Sequence, residues 1–130
     1  MLTEDEESDL SYAMDALKVH IHDNWAIPKG WWTDLATGKP KERNVGELIA
    51  LCHSELSEAL EGHRKGKSDE HCPEFSSLEV ELADCIIRIC DMAGGMDLQL
   101  GAALIAKMKY NHTREDHKIE NRKKVDGKKF

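Results

Sequence analysis

The sequence predicts an all-α protein, a four-helix bundle, and three observations predict it. Apolar residues recur at three- and four-residue steps in four separate stretches. Hydrophobic content is 40% while aromatics are only 5% and prolines number three, which suits helix better than sheet. Capping residues and glycines also mark where the stretches begin and end. A chain of 130 residues has room for one such core and not for two. Residues 1–117 are expected to form a single helical domain, and 118–130 a charged, loosely held tail.

In order along the chain, Leu10, Met14, Leu17 and Ile21 follow an acidic first turn and predict a helix over 4–24. Ile27-Pro28-Lys29-Gly30-Trp31-Trp32 breaks that pattern, and a polar loop runs on to Arg43. Asn44 with Glu47 three residues later predicts a capped second helix reaching about His63. Residues 62–74 hold two glycines, a proline and mixed charge, and read as a surface connection. Ser76 and Glu79 repeat the capping signal for a third helix, which Gly94-Gly95 should stop after Ala93. Asp97 is then expected to cap a fourth helix running through Leu100, Leu104 and Met108 to about Glu115.

Charge and cysteine usage narrow the function. A net charge of −7 argues against a nucleic-acid-binding protein. No run approaches the roughly 18 apolar residues of a membrane span, and the acidic N-terminus lacks a signal-peptide pattern, so a cytoplasmic protein is expected. The four cysteines do not fall at zinc-ribbon spacing. Cys52, Cys85 and Cys90 sit in apolar helical stretches as small buried hydrophobes. His63, His71 and Cys72 lack the further ligands a zinc site needs.

The chemistry concentrates in two acidic pairs, Glu55-x-x-Glu58 and Glu81-x-x-Asp84. Three-residue spacing puts both members of a pair on one helix face. On the second helix, Val45, Leu48, Ile49, Cys52, Leu56, Ala59 and Leu60 form an apolar stripe with Glu55 at its margin. The third helix is apolar nearly all round, and Glu81, Asp84, Arg88 and Asp91 occupy its one polar sector. Either pair alone reads as a solvated helix face, with Arg88 pairing with Asp84 four residues earlier. Both pairs together, aimed into one volume, call for hard cations: magnesium, with manganese as a substitute.

Glu81-Leu-Ala-Asp84-Cys-Ile-Ile-Arg88-Ile-Cys-Asp91, downstream of Glu55-Leu-Ser-Glu58-Ala, resembles the MazG-like all-α nucleotide pyrophosphohydrolases. Lys29-Gly30-Trp31-Trp32 looks like that family's loop after the first helix. Lys107-Met-Lys-Tyr110-Asn111-x-x-Arg114 looks like its basic segment on the last helix, and Gly127-Lys-Lys-Phe130 is similar to the tail of its single-domain members. The longer linker from Gly62 to Ser76 and the insertion 119–126 depart from the family pattern. The resemblance implies hydrolysis of a nucleoside triphosphate to the monophosphate and pyrophosphate, with magnesium held by Glu55, Glu58, Glu81 and Asp84. It also implies a homodimer, or a homotetramer built from dimers. Lys107, Asn111 and Arg114 share one helix face and would hold phosphate or sugar oxygens. Tyr110 lies beside them. Of Trp31 and Trp32, one would stack on the base and the other pack into the core. His20, His22 and Asn24 lead towards this loop as further base or ribose contacts.

Two rival functions are separable by residue type. A ferritin-like di-iron site needs Glu-x-x-His, and the third position after each glutamate here is Glu58 or Asp84 instead. A non-catalytic bundle serving as an adaptor or regulatory partner would use the same acids as a binding face.

Overall fold

The computed structural model describes residues 1–130. The fold is all-α: 65% of the residues are helical and there is no strand, only the isolated bridges Thr33–Pro40 and Ser68–Ser76. The elements are α1 (Glu4–Ile21), a π-helical turn (His22–Ala26), α2 (Val45–Lys65), α3 (Ser77–Gly95), α4 (Leu100–Thr113), a 3₁₀ turn (Glu115–His117) and α5 (Ile119–Arg122). The chain forms two compact units. One is Leu17–Leu98; the other joins Met1–Ala16 to Gln99–Phe130.

In the unit Leu17–Leu98 the starts of both long helices follow the sequence signals. Asn44 Oδ1 accepts from Glu47 N at 3.0 Å, which satisfies one of the first free N–H groups of α2. At α3 the box is reciprocal. Ser76 Oγ accepts from Glu79 N at 3.1 Å, and Glu79 Oε2 accepts from Ser76 N at 2.8 Å. The connection between the helices is an ordered turn, in which Asp69 Oδ1 accepts from the backbone N–H groups of His71 and Cys72. α2 and α3 pack against each other, and Leu48, Ala59, Cys85, Cys90 and Ala93 are buried.

Two boundaries differ from the sequence reading. α3 continues through Gly95. Gly94 and Gly95 are there because neighbours sit where their Cβ atoms would be: the His22 ring against Gly94 and the Trp32 ring against Gly95. Missing side chains let the π-helical turn and Trp32 press directly onto α3. Asp97 does not cap α4. It takes φ 52°, in the left-handed region, with Asp97 N bonded to Gly94 O and Leu98 N to Ala93 O. That is the Schellman arrangement, in which a short polar residue tolerates the left-handed turn.

In the unit of Met1–Ala16 and Gln99–Phe130, Thr3 Oγ1 accepts from Glu6 N and Glu6 Oε2 accepts from Thr3 N, a capping box opening α1. α4 starts after Gln99 with no side-chain cap of its own. Its Gly101 N–H is met instead by Asp15 Oδ1 at 3.1 Å. Residues 118–130 include α5, and Arg122 donates to the carbonyls of Lys128 and Lys129.

Adding bulk where α3 receives the turn should be costly. Gly94→Val forces its side chain into the His22 ring and is expected to lower stability by about 1–3 kcal/mol, read as a shift of the urea midpoint at unchanged slope.

Candidate functional site

α2 and α3 bring Glu55, Glu81 and Asp84 together, with one carboxylate oxygen from each lying within 4.8 Å of the others. Glu55 is buried at 6% exposure, so the residue expected at the margin of an apolar stripe is in fact the enclosed member. Glu58, one turn further along α2, is exposed and interacts with Glu55. Arg88 does not pair with Asp84. Its Nε donates to Glu55 Oε1 at 2.5 Å, across the helix pair, because the buried carboxylate has most to gain from a charged donor.

Crowding governs the titration of the group. Burial, then the charges of Glu58 and Glu55, push the Glu81 carboxyl from 4.5 up to about 7. Burial and the charge of Glu55 raise Asp84. The hydrogen bond to Glu55 and its charge raise Glu58. Glu55 moves the other way. Burial pushes it up, but the bonds from Arg88 and Glu58 and the Arg88 charge outweigh that and hold it down. The donor set suits magnesium or manganese, being all carboxylate oxygen. Oxygens around an ion at ~2.1 Å are at most ~4.2 Å apart, a spacing close to the one these carboxylates have. His63, His71 and Cys72 form no such group.

A cleft of about 480 Å³ opens beside the acids. Glu55, Asp84 and Arg88 line it together with Trp25, Trp31, Arg43, Glu47 and Asp91. Trp31 is exposed and Trp32 is the anchored member of the pair. Trp32 Nε1 donates to Asp91 Oδ1 at 2.9 Å, and the same oxygen accepts from His22 Nδ1 at 2.8 Å. The His22 and Trp32 rings meet edge to face at 5.2 Å. Arg43 lies over the Trp32 ring at 5.3 Å and 4.0 Å from Asp91 Oδ2. Asp91 therefore fixes the loop of residues 27–43 to α3. His20 and Asn24 bond to each other at the surface, while His22 turns inward at the start of the π-helical turn.

Lys107, Tyr110, Asn111 and Arg114 belong to the other unit. Lys107 Nζ lies 4.7 Å and Arg114 Cζ 5.7 Å from the Tyr110 ring centre. Asn111 Oδ1 is buried with no hydrogen-bond partner, an acceptor that costs stability until a donor reaches it. The cleft residues Trp25 and Arg43 and the anchor Asp91 carried no assigned role in the sequence, and Glu47 only that of a capping residue. Asp91 had a signal, since it lies seven residues after Asp84 in the polar sector of α3. Trp25 and Arg43 had none, since one lies in the π-helical turn and the other in the loop before α2, while Glu47 lies in the first turn of α2. No single helix is long and apolar enough to cross a membrane. No family model matches the chain, and neither a curated protein nor a solved structure does.

The Glu81 proton sets a pH dependence of definite sign. Its folded value is raised, so the folded protein holds a proton that the unfolded chain releases above about 4.5. This contribution to stability is full below about 4.5 and lost as pH rises through about 7. In EDTA, wild type should lose stability between those pH values relative to Glu81→Gln, measured by urea denaturation of both. Magnesium at neutral pH should raise the melting temperature of wild type and not of the variant.

Proposed function

We propose that the protein is a magnesium-dependent nucleotide pyrophosphohydrolase. It would hydrolyse a ribo- or deoxynucleoside triphosphate to the monophosphate and pyrophosphate, in the service of nucleotide-pool control. One observation carries the reading: the buried Glu55 meets Glu81 and Asp84 beside a cleft that also holds two exposed tryptophans. The ordered motifs that liken the chain to the MazG-like family support the same reaction.

Glu55, Glu81 and Asp84 would hold the metal, with Glu58 completing the set. Bound magnesium supplies neutralisation of phosphate charge and acidification of a water. The exposed Glu58 carboxylate, least enclosed of the four, is placed to accept the proton of the attacking water. Arg88 keeps Glu55 ionised and oriented. Trp25 and Trp31 offer flat faces for a base, Trp32 secures the loop that carries Trp31, and Arg43 offers a donor beside them. Lys107, Asn111 and Arg114 would contact phosphate or sugar oxygens, with Tyr110 beside them.

The assembly proposed is a four-helix-type homodimer or dimer of dimers. Ile49, Leu56, Leu60, Leu82 and Ile86 of α2 and α3 are each between 42 and 60% exposed, an apolar face that a second copy would cover. Four free cysteines fit a reducing cytoplasm.

Purified protein is expected to release pyrophosphate from at least one of the standard nucleoside triphosphates or dUTP, with magnesium or manganese and not in EDTA. Glu81→Gln and Asp84→Asn should reduce release to background, and Trp31→Ala should raise KM more than it lowers kcat. Absence of release across the whole panel would sink the proposal. Sedimentation at micromolar concentration should show a dimer or tetramer, and a monomer would remove the assembly.

A further inference from the structure

The chain carries a net charge of −7, yet in the unit containing α4 two cations, Arg114 and Lys128, meet one carboxylate. Arg114 grips Asp116 with both arms of its guanidinium, Nε to Oδ1 at 2.9 Å and Nη2 to Oδ2 at 2.6 Å. Lys128 Nζ lies 4.0 Å from Asp116 Oδ2 and 3.4 Å from His117 Nε2. Lys107 shares the Tyr110 ring with Arg114. The neighbouring acid, Glu115, is taken up by Lys118 and Asn121, so Asp116 is the acid that Arg114 and Lys128 face.

Lys128 is held by its backbone carbonyl as well as by its ammonium. Arg122 donates from Nε to Lys128 O at 3.2 Å and from Nη2 to Lys129 O at 3.0 Å. Lys129 Nζ returns to the carbonyls of Arg122 and Lys124. The tail is thereby folded back with the Lys128 ammonium directed at Asp116, while Arg122 and Lys129 are spent on structure. A planar guanidinium fork and an ammonium on one small anion, with an imidazole that accepts from the ammonium beside them, form a set suited to phosphate oxygens. The anion now present is exposed and its ion pairs are exchangeable with solvent.

We propose that Asp116 is a built-in stand-in for phosphate, and that a polyphosphate group displaces it to be held by Arg114, Lys128 and His117. The ligand class is a di- or triphosphate chain, whether free pyrophosphate or the chain of a nucleotide. The pyrophosphohydrolase reading already gives Arg114 a phosphate contact. What is new is Lys128 and His117 as further ligands and Asp116 as the group that competes with the ligand. Asp116 lowers affinity because each incoming phosphate must first break the Arg114 fork.

Calorimetric titration in EDTA at low ionic strength tests this with two probes, inorganic pyrophosphate and a non-hydrolysable nucleoside triphosphate analogue. Asp116→Asn should tighten binding roughly fivefold, the effect of removing one unit charge at contact distance in a water-like medium. Lys128→Ala should weaken it by a similar factor, with both variants melting as wild type does. Glu120→Gln removes the same charge outside the cluster and should change nothing. If only pyrophosphate responds, the site serves the free anion; if both respond, it takes the phosphate chain wherever it is attached; if only the analogue responds, it serves the nucleotide. Failure of Asp116→Asn to tighten either probe, equal tightening by Glu120→Gln, or indifference to Lys128→Ala would overturn the proposal. Binding in EDTA does not require the carboxylates of α2 and α3 to hold metal. A protein that binds in this pattern but releases no pyrophosphate keeps the anion site and loses the proposed reaction, and the converse result separates them equally well.

Discussion

Repulsion among carboxylates held on two packed helices is the constraint on which the unit Leu17–Leu98 turns. Two like charges about 4 Å apart cost about 1 kcal/mol in water and about 4 kcal/mol in a medium typical of a protein surface. Packing of α2 on α3 nevertheless brings Glu55, Glu81 and Asp84 within 4.8 Å. Without a cation the protein relieves the strain in two ways. Arg88 crosses from α3 to pair with Glu55, and Glu81 retains a proton into the neutral range. Both devices are ones a divalent ion would replace.

A second polar centre serves that arrangement without joining it. Asp91 lies two turns beyond Asp84 on α3, where one oxygen accepts from both His22 and Trp32. Gly94 and Gly95 let those two rings approach the helix. The same helix thus carries the acids on one stretch and the anchor of the tryptophan loop on the next. Both stretches line the same cleft.

Much of the fold was legible because its signals are local. Periodicity, the Asn44 and Ser76 caps and the acidic first turn of α1 depend on neighbours within about one helical turn. The failures were also local signals, but ones answered by partners far off in sequence. Asp97 has the chemistry of an N-cap and is used instead to end α3, while the first free N–H groups of α4 find Asp15, some 86 residues away. Gly94-Gly95 reads as a stop signal and serves as a contact surface. Within the site, the two acid pairs could be read from spacing, but which tryptophan is exposed and which is anchored could not. Arg43 and Trp25 could not, since neither the loop nor the π-helical turn carries a 3.6-residue periodicity that would aim them.

By itself the sequence determined the helices, the caps of α2 and α3 and which acids share a face, because these follow from a repeat of 3.6 residues and from hydrogen bonds spanning three or four positions. Only the tertiary structure decided that Glu55 is the buried acid, that Arg88 answers it and not Asp84, and that Asp91 ties His22 and Trp32 to α3. Those outcomes depend on which faces of α2, α3 and the loop meet across distances in sequence of 33, 59 and 69 residues. Burial, which sets the strength of each charge's demand for a partner, exists only once they have met.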